Sequence, residues 1–412
     1  MNRKSIMFLK NKFSEYYNKL WIEKYIPEEI TRREFGFSLF EENVMIRHIS
    51  FRNEKEYFLY LKRKVPRNAY YSSAYYEFPD AKSMQEKIWI GAELVFDIDA
   101  DHIPTDCKDS HDSWICQNCG FSGKGIAPNI CPKCGLTKIS VKTWFCEKCL
   151  EAAKNETFKL IDDFLIPDFG FNYNELTITF SGHRGYHIHV NSEIIREMDQ
   201  NARREIVNYL LGQGVDPKLQ GIVHTKGKII LPLLNEPAWR GKSIKALINF
   251  LKNLNNRQIE KLKRDIGHEK VEVITTNKEI IIKKLQEGVV PTSILRYDTL
   301  NIILRYAIED FSCKIDSVVT ADIKRLMRLP SSLHGKTGLK VSIINYTDLE
   351  KFDPLKDSVI FKKGHHIIKI IEKTPEIVLN GELFGPFNPG DIVEVPDSVA
   401  VLLVGKDYAE IY

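Results

Sequence analysis

Two aspartates, Asp97 and Asp99, end the short apolar segment Leu94–Asp99. An apolar run of this length predicts a β-strand, in which alternate side chains project from the same face. The two carboxylates would therefore lie a few ångströms apart, and their repulsion is relieved when a divalent cation sits between them. Mg²⁺ and Mn²⁺ prefer oxygen ligands and usually also bind phosphate oxygens of a substrate. An Asp-x-Asp pair alone is unspecific, because solvated strand ends and some glycosyltransferase sites share it.

A basic turn, defined here as residues 181–185 (Ser-Gly-His-Arg-Gly), separates two further predicted strands, 176–180 and 186–190. The pattern predicts a hairpin. Glycine lets a ligand approach the backbone closely, and arginine pairs with phosphate oxygens in a bidentate manner. His187 and His189 share one face of the following strand and could point at the same site. An ordinary glycine-containing hairpin with surface histidines is the alternative.

Residues 314–316 (Lys-Ile-Asp) begin a third polar cluster, which continues from Asp322. Residues 313–329 predict a strand, a turn and a helix that ends before Pro330. In that helix Lys324 and Arg328 would share a face, and a polyphosphate beside them would explain the repelling pair. Residues 334–338 (His-Gly-Lys-Thr-Gly) add further donors in a glycine-bounded loop, although their spacing is not that of a P-loop.

Seven of the eight cysteines lie between Cys107 and Cys149. Their grouping in Cys-x-x-Cys pairs in a protein without a secretory signal favours metal ligation over disulfides. Two of the pairs are each followed by glycine, which is typical of a structural zinc ribbon with a closed tetrahedral site. The predicted ribbon ligands are Cys116, Cys119, Cys131 and Cys134. Cys313 stands alone near an apolar stretch and is predicted to be a packed core residue.

Composition sets limits on the class of protein. The chain has 412 residues, 43% of them apolar and 28% charged, as in ordinary globular proteins. Its net charge is only +4, so a nucleic-acid partner would have to meet local basic patches. No segment has the ~18 uninterrupted apolar residues of a membrane helix, and the first ten residues are too charged for a signal peptide. We therefore expect a cytoplasmic protein with no membrane partner.

The order of predicted elements indicates a mixed α/β (α+β) fold with two insertions. Helical spacing is found in residues 54–64, 200–211 and 243–265. The core would comprise residues 1–240 and 300–412, with a zinc-binding insertion at about 105–150 and a mainly helical insertion at 241–299. The surplus of lysine and arginine over 242–284 fits a solvated helical face, with contact to template phosphates as the alternative.

Three separated motifs together resemble those of the archaeo-eukaryotic DNA primase small subunit, and most closely its archaeal members. The motifs are residues 96–99, residues 181–187, and Asp316 followed by residues 325–338. Residues 33–35, 46–48 and 71–74 also resemble the family's upstream segments. The resemblance extends from about residue 30 to 345, except for the helical insertion, and it implies the mixed-sheet primase catalytic core.

This resemblance implies a DNA-directed RNA polymerase that synthesises short RNA, or DNA, primers de novo on single-stranded DNA by two-metal nucleotidyl transfer. Mg²⁺ or Mn²⁺ would be held by Asp97, Asp99 and Asp316. The triphosphate of the NTP or dNTP would be bound by Ser181, His183, Arg184, His187, Arg328 and His334, with Arg47 on the same side. Family members often have Arg or Asn in place of His183. The implied partner is the primase large subunit, in a heterodimer.

Archaeal members of the family carry zinc just after the strand that corresponds to Leu94–Asp99, here called the acidic strand. Some use a Cys and a His with a later Cys-x-x-Cys pair, and others use a ribbon; this chain has both patterns. The resemblance therefore implies a second zinc site, formed by Cys107, His111, Cys146 and Cys149. The alternative is that these four residues bind no metal.

Three other functions would account for part of this pattern. An end-joining-type polymerase domain of the same superfamily shares the acidic pair, but a zinc ribbon is not expected within it. A metal-dependent glycosyltransferase leaves Asp316 and residues 329–334 unexplained. A non-catalytic zinc-ribbon module that binds nucleic acid accounts for the cysteines but for neither the acidic pair nor the basic turn.

Overall fold

The computed structural model describes residues 1–20, 25–42 and 44–412, and these divide into two compact units. The first unit consists of Met1–Thr157, Tyr173–Asn201 and Ile315–Tyr412, and the second of Phe158–Asn172 and Ala202–Lys314. The fold is mixed α/β, as predicted. The second unit is larger than the insertion predicted at 241–299.

A four-stranded antiparallel sheet in the first unit carries the acidic strand, Leu94–Asp99, at one edge. Its strand order is Ile343–Ile344, Leu176–Phe180, Gly185–Val190 and Leu94–Asp99. The predicted hairpin is confirmed, because Leu176–Phe180 pairs with Gly185–Val190 around the basic turn. Gly185 lies opposite Asp99, and a Cβ there would be 2.3 Å from the carbonyl oxygen of Ile98. A side chain at this position would therefore push the basic turn away from the acidic strand.

A second four-stranded sheet of the same unit has the order Leu326–Arg328, Asn68–Ser72, Phe35–Ser38 and Ile46–Ile49. This arrangement corrects the prediction that Lys324 and Arg328 share a helical face. The helix spans only Ser317–Ala321, and Arg328 lies in a strand opposite Tyr70. Met327 is buried between half-exposed neighbours, so the cross-strand hydrogen bonds and this alternating burial override the local helical spacing.

The other strands of the first unit form small antiparallel sheets. They are Ala74–Tyr76 with Trp89–Ala92; Ser122–Lys124, Ser113–Cys116 and Ile139–Lys142 in the cysteine-rich insertion; Ile377–Leu379 with Glu382–Phe384; and Ile392–Pro396, His365–Ile370 and Ala409–Ile411. The α-helices are Arg3–Glu15, Glu54–Lys64, Lys108–His111, Glu193–Arg196, Ser317–Ala321, Pro354–Asp357 and Asp397–Gly405. Shorter 3₁₀ or π turns are Tyr16–Leu20, Ile30–Arg32, Ala100–His102, Tyr173–Glu175 and Tyr346–Asp348.

The helix Glu54–Lys64 shows how local sequence sets these bounds. The Asn53 side chain accepts a hydrogen bond from the Glu56 amide and so caps the helix amino terminus. Acidic residues occupy its first turn and basic residues its last, which suits the helix dipole. The helix predicted at 54–64 is confirmed at both ends.

The second unit is mainly helical. Its helices are Ala238–Lys252, Asn256–Ile266, His268–Thr276, Lys278–Gln286 and Tyr297–Phe311, with turns at Leu160–Leu165 and Pro217–Gln220. A small sheet orders Val223–Thr225, Lys228–Ile230 and Val289–Pro291. The helices Glu147–Lys159 and Gln200–Leu210 contain residues of both units. The predicted helix at 243–265 is two helices, because Asn255 begins a new one with a capping box.

Across the described ranges, no helix has the length and apolar character needed to cross a membrane.

Candidate active site and metal centres

Three carboxylates meet at the acidic strand although one of them is more than 200 residues away in the chain. Asp97 and Asp99 lie on the strand, and the backbone N–H of Asp316 donates to the backbone carbonyl of Asp97 at 2.9 Å. Asp316 is the N-cap of the helix Ser317–Ala321, where its Oδ1 accepts from the amides of Val318 and Val319. The cap fixes the orientation of this carboxylate. The three predicted catalytic aspartates therefore belong to one site.

The electrostatics of the site favour a bound cation. Burial, together with the charges of Asp99 and Asp316, raises the pKa of Asp97 to about 7, although Arg325 and Arg328 act in the opposite direction. Burial also raises the pKa of Asp99. Carboxylates held together against their mutual repulsion are the donor set that Mg²⁺ or Mn²⁺ prefers. The residues present therefore fit the implied metal ions.

His187 lies directly opposite Asp97 in the sheet, with its Nε2 3.7 Å from Asp97 Oδ1. Burial lowers the pKa of His187 to about 3, aided by His189 and Arg328, so its imidazole is neutral. His187 Nδ1 is buried and has no hydrogen-bond partner among the described residues. A buried nitrogen without a partner carries a desolvation cost that a hydrogen bond to a ligand would offset.

His189 lies on the same strand face but serves another purpose. Its Nδ1 is 2.8 Å from Glu93 Oε2, its ring stacks on Tyr71, and Glu93 pairs with the buried Arg33. We interpret this network as structural, because each charge is buried and compensated.

The guanidinium of Arg184, predicted to bind triphosphate, is buried among acidic residues. Its Nη1 donates to Asp112 Oδ2 at 3.1 Å and to the carbonyl of Trp144 at 2.7 Å, and its Nε lies 3.5 Å from Asp99 Oδ1. It also pairs with Asp101. Arg184 Nε makes no hydrogen bond within the described chain. Sequence reasoning missed Asp112, whose only signal was its position next to the metal-ligand candidate His111.

The basic turn and the loop 334–338 are in direct contact. Thr337 Oγ1 donates to the carbonyl of Gly182 at 2.6 Å, and the rings of His183 and His334 stack with centroids 5.2 Å apart. Ser181 Oγ accepts from the Gly185 amide at 3.3 Å, which closes the turn. The second and third sequence motifs thus form one surface.

The remaining predicted nucleotide ligands, Arg328 and Arg47, differ in their surroundings. Arg328 donates to Asn68 Oδ1 at 2.8 Å, and its charge acts on Asp97 and His187. Arg47 is half-exposed and pairs with the buried Glu34 at 3.1 Å. Among the described residues, no contact joins Arg47 to the carboxylates of Asp97, Asp99 and Asp316.

The ribbon cluster, defined as Cys116, Cys119, Cys131 and Cys134, has four sulfur atoms within 4.8 Å of one another. Amide groups of Asn118 and Cys119 lower the pKa of the Cys116 thiol to about 6, which favours the thiolate that ligates metal. A group of four cysteines fits a closed zinc site.

The mixed cluster, defined as Cys107, His111, Cys146 and Cys149, also brings its four ligand atoms within 4.8 Å of one another. His111 Nε2 faces the Cys149 sulfur at 3.6 Å, and His111 Nδ1 lies 2.9 Å from Asp112 Oδ1. A metal-binding histidine usually donates its second nitrogen to a carboxylate in this manner. The predicted convergence of these four residues is confirmed, and the cluster could hold a metal such as zinc. Cys313 is fully buried, as predicted.

Comparison with known proteins identifies the family. Residues 137–345 match the sequence profile of the DNA primase small subunit. The DNA primase small subunit PriS of Methanothrix thermoacetophila is 34% identical over 434 aligned residues, with 100% of both chains covered. PriS of Archaeoglobus fulgidus is 34% identical, covering 97% of this chain and 96% of its own. PriS of Nitrosopumilus maritimus is 32% identical, with full coverage of both. The three motifs, their meeting around the acidic strand and these relatives lead to one conclusion: the chain belongs to the DNA primase small subunit family.

Proposed function

We propose that this primase catalytic subunit starts RNA primers, or DNA primers, from free nucleotides on single-stranded DNA by two-metal nucleotidyl transfer. The observation that carries the proposal is the backbone hydrogen bond from Asp316 to Asp97, which joins a third carboxylate to the acidic pair. A pair of carboxylates suits many chemistries. Three of them, beside a surface of phosphate-binding side chains, suit transfer of a nucleotidyl group.

Asp97, Asp99 and Asp316 would hold Mg²⁺ or Mn²⁺. When bound, such ions activate the attacking 3′-hydroxyl and neutralise charge on the triphosphate. The protein itself contributes position: the sheet register fixes Asp97 and Asp99, and the helix cap fixes Asp316. A rigid carboxylate set needs no reorganisation during the reaction.

The proposed triphosphate surface combines neutral and cationic donors. His187 offers a buried nitrogen without a protein partner, and Arg184 offers its Nε. Ser181, His183, Arg328 and His334 would complete this surface, and Arg47 would act nearer its edge. Bringing two nucleotides together on a template replaces a bimolecular encounter with a positioned one, which is the difficult step in starting a chain.

We further propose that both cysteine clusters bind zinc in a structural role and that the subunit works with the primase large subunit in the cytoplasm. Four protein ligands in each cluster leave no open position for catalysis.

The test is synthesis on unprimed single-stranded DNA with NTPs or dNTPs and Mg²⁺ or Mn²⁺, with and without the large subunit. We expect labelled products longer than a dinucleotide. Asp97→Asn should reduce their yield by more than about 100-fold. Changes to residues that only support a metal ligand cost up to about this factor, and Asp97 would contact the metal directly. Asp348→Asn, at an exposed carboxylate, is the matched control and should retain synthesis. Extension of a supplied primer without any product on unprimed template would instead indicate the end-joining type of polymerase.

A further inference from the structure

A small basic pocket lies beside the basic turn and involves the carboxyl-terminal part of the chain. Its volume is about 270 Å³, and it is lined by residues 140–143 and 405–407 together with His183 and Lys336. Sites for drug-sized molecules are usually larger, about 300–1,000 Å³. The pocket therefore suits part of a ligand, such as a chain of phosphate groups, better than a whole nucleotide.

The side chain of Lys406 points at this pocket from the end of the helix Asp397–Gly405. Its Nζ donates to His183 Nε2 at 3.1 Å, and it lies over the rings of Trp144 and Phe145 at 5.4 and 5.7 Å. The backbone beneath it is closely packed, since a Cβ at Gly405 would lie 2.6 Å from the carbonyl oxygen of Lys336. Lys406 is thus held next to the loop 334–338.

The pocket has an excess of positive charge. In the part of the chain that the structure describes, neither Lys336 nor Lys406 forms an ion pair with a carboxylate, and Lys142 is paired with Glu372. Asp407 lines the pocket, but its carboxylate is mostly exposed and pairs with the amino terminus. Burial, then the charges of Lys336 and Arg184, lower the pKa of Lys406 to about 7. Lys336 is exposed, whereas Lys406 is a partly buried cation without an anion, which costs free energy that a bound anion would recover.

We infer that Lys406, with Lys336 and His183, binds the terminal phosphates of a nucleoside triphosphate. The inference rests on the proposed function and extends it, because it adds a ligand from the carboxyl-terminal segment to the triphosphate surface. Two sources share this chemistry: the incoming nucleotide and the 5′-terminal nucleotide with which a primer begins. In both cases the pocket makes the enzyme prefer triphosphates over monophosphates.

Binding should be measured on the full chain without template, so that no synthesis is required. The ligands are ATP, AMP and inorganic triphosphate, and the variants are Lys406→Met, Lys406→Arg and, as the matched control, the exposed Lys363→Met. We expect Lys406→Met to raise the Kd for ATP and triphosphate about tenfold, or 1.4 kcal/mol, and to leave AMP unchanged. At about pH 6, where Lys406 is protonated, Lys406→Arg and Lys363→Met should resemble the unchanged chain. Equal ATP affinity in Lys406→Met and Lys363→Met would overturn the inference.

A second measurement needs no variant and therefore covers the case in which Lys406→Met does not fold. Limited modification of the unchanged chain with an amine-reactive reagent, read by mass spectrometry, compares Lys406 with Lys363. Inorganic triphosphate should protect Lys406 but not Lys363, and absence of protection at Lys406 would overturn the inference.

Activity assays then distinguish the incoming nucleotide from the initiating nucleotide. They also test the pocket and the proposed function separately. A higher KM for Lys406→Met in both unprimed synthesis and extension of a 5′-hydroxyl primer indicates the incoming nucleotide; a change in unprimed synthesis alone indicates the initiating nucleotide. Triphosphate protection without any primer synthesis would support the pocket and refute the proposed function. Primer synthesis by the unchanged chain, together with unaltered triphosphate binding in Lys406→Met, would support the proposed function and refute the role of the pocket.

Discussion

Arg184 and Asp112 form a buried ion pair, with Arg184 Nη1 3.1 Å from Asp112 Oδ2, and the other oxygen of Asp112 lies 2.9 Å from His111 Nδ1. One carboxylate thus contacts both a member of the mixed cluster and an arginine that reaches Asp99. The cysteine-rich insertion and the acidic strand are therefore connected through two side chains, those of Asp112 and Arg184.

Replacement of Asp112 by Asn should therefore be costly. Asp112→Asn removes one anionic partner of the buried Arg184 guanidinium. Breaking a buried ion pair typically lowers the free energy of unfolding by about 3–5 kcal/mol. We expect a loss of about 3 kcal/mol, because Asp99 stays near Arg184. Chemical denaturation of the metal-loaded protein measures this change. Asp109→Asn, at an exposed carboxylate of the short helix Lys108–His111 that precedes Asp112, should change the free energy of unfolding by less than about 0.5 kcal/mol. Equal stability of the two variants would show that the pair contributes nothing.

Asp316 has two roles that substitution can separate. Asn is as good an N-cap as Asp, so Asp316→Asn should keep the stability of the protein within about 0.5 kcal/mol while it removes the metal-binding charge. Asp316→Ala removes both and should also cost about 1 kcal/mol of stability. Thermal unfolding and unprimed synthesis, measured on the same preparations, check this expectation. Full synthesis by Asp316→Asn would exclude a catalytic role for its charge.

Metal content should follow the two clusters independently. Total metal analysis should give about two zinc ions per unchanged chain and about one each in Cys116→Ser and His111→Ala, because either change removes one of four ligands. Cys313→Ala, at a buried cysteine outside both clusters, should retain two. Two zinc ions in His111→Ala would refute metal binding by the mixed cluster.

The affinity for inorganic triphosphate should fall as the pH rises. The pKa of Lys406 is lowered to about 7 in the free protein, whereas phosphate binding needs the protonated ammonium. The contribution of Lys406 is therefore full at about pH 6 and is lost as the pH increases through its pKa. Lys406→Arg stays charged throughout, so the ratio of its Kd to that of the unchanged chain should fall roughly tenfold between about pH 6 and pH 9. This ratio cancels ionisation of the ligand itself, and a constant ratio would contradict the assignment.

Local patterns predicted the parts of the site in which neighbours in sequence are neighbours in space. The apolar run Leu94–Asp99 predicted the acidic strand, and the glycines between two further apolar runs predicted the hairpin around the basic turn. The Cys-x-x-Cys spacing predicted the ribbon cluster, since two residues between ligands fix their separation. These features depend on backbone geometry over a few residues.

Local patterns did not predict features that depend on pairing between segments far apart in the sequence. The segment before Pro330 has helical spacing, but Arg328 lies in a strand because Asn68–Ser72 supplies the hydrogen-bond partners. Nothing adjacent in sequence links Arg184 to Asp112 or Lys406 to His183. Such contacts arise only when the complete sheets bring separate segments together.

The hydrogen bond between Asp316 and Asp97 has a consequence for how the enzyme is made. Residues 202–314, which form most of the second unit, are synthesised between the first two carboxylates and the third. The strand Ile343–Ile344, which completes the sheet of the acidic strand, comes later still. Domains tend to fold as they leave the ribosome, so the second unit can fold before the catalytic site exists. A nascent or prematurely terminated chain would then carry folded cysteine-rich and helical parts, but its three aspartates would not yet lie together.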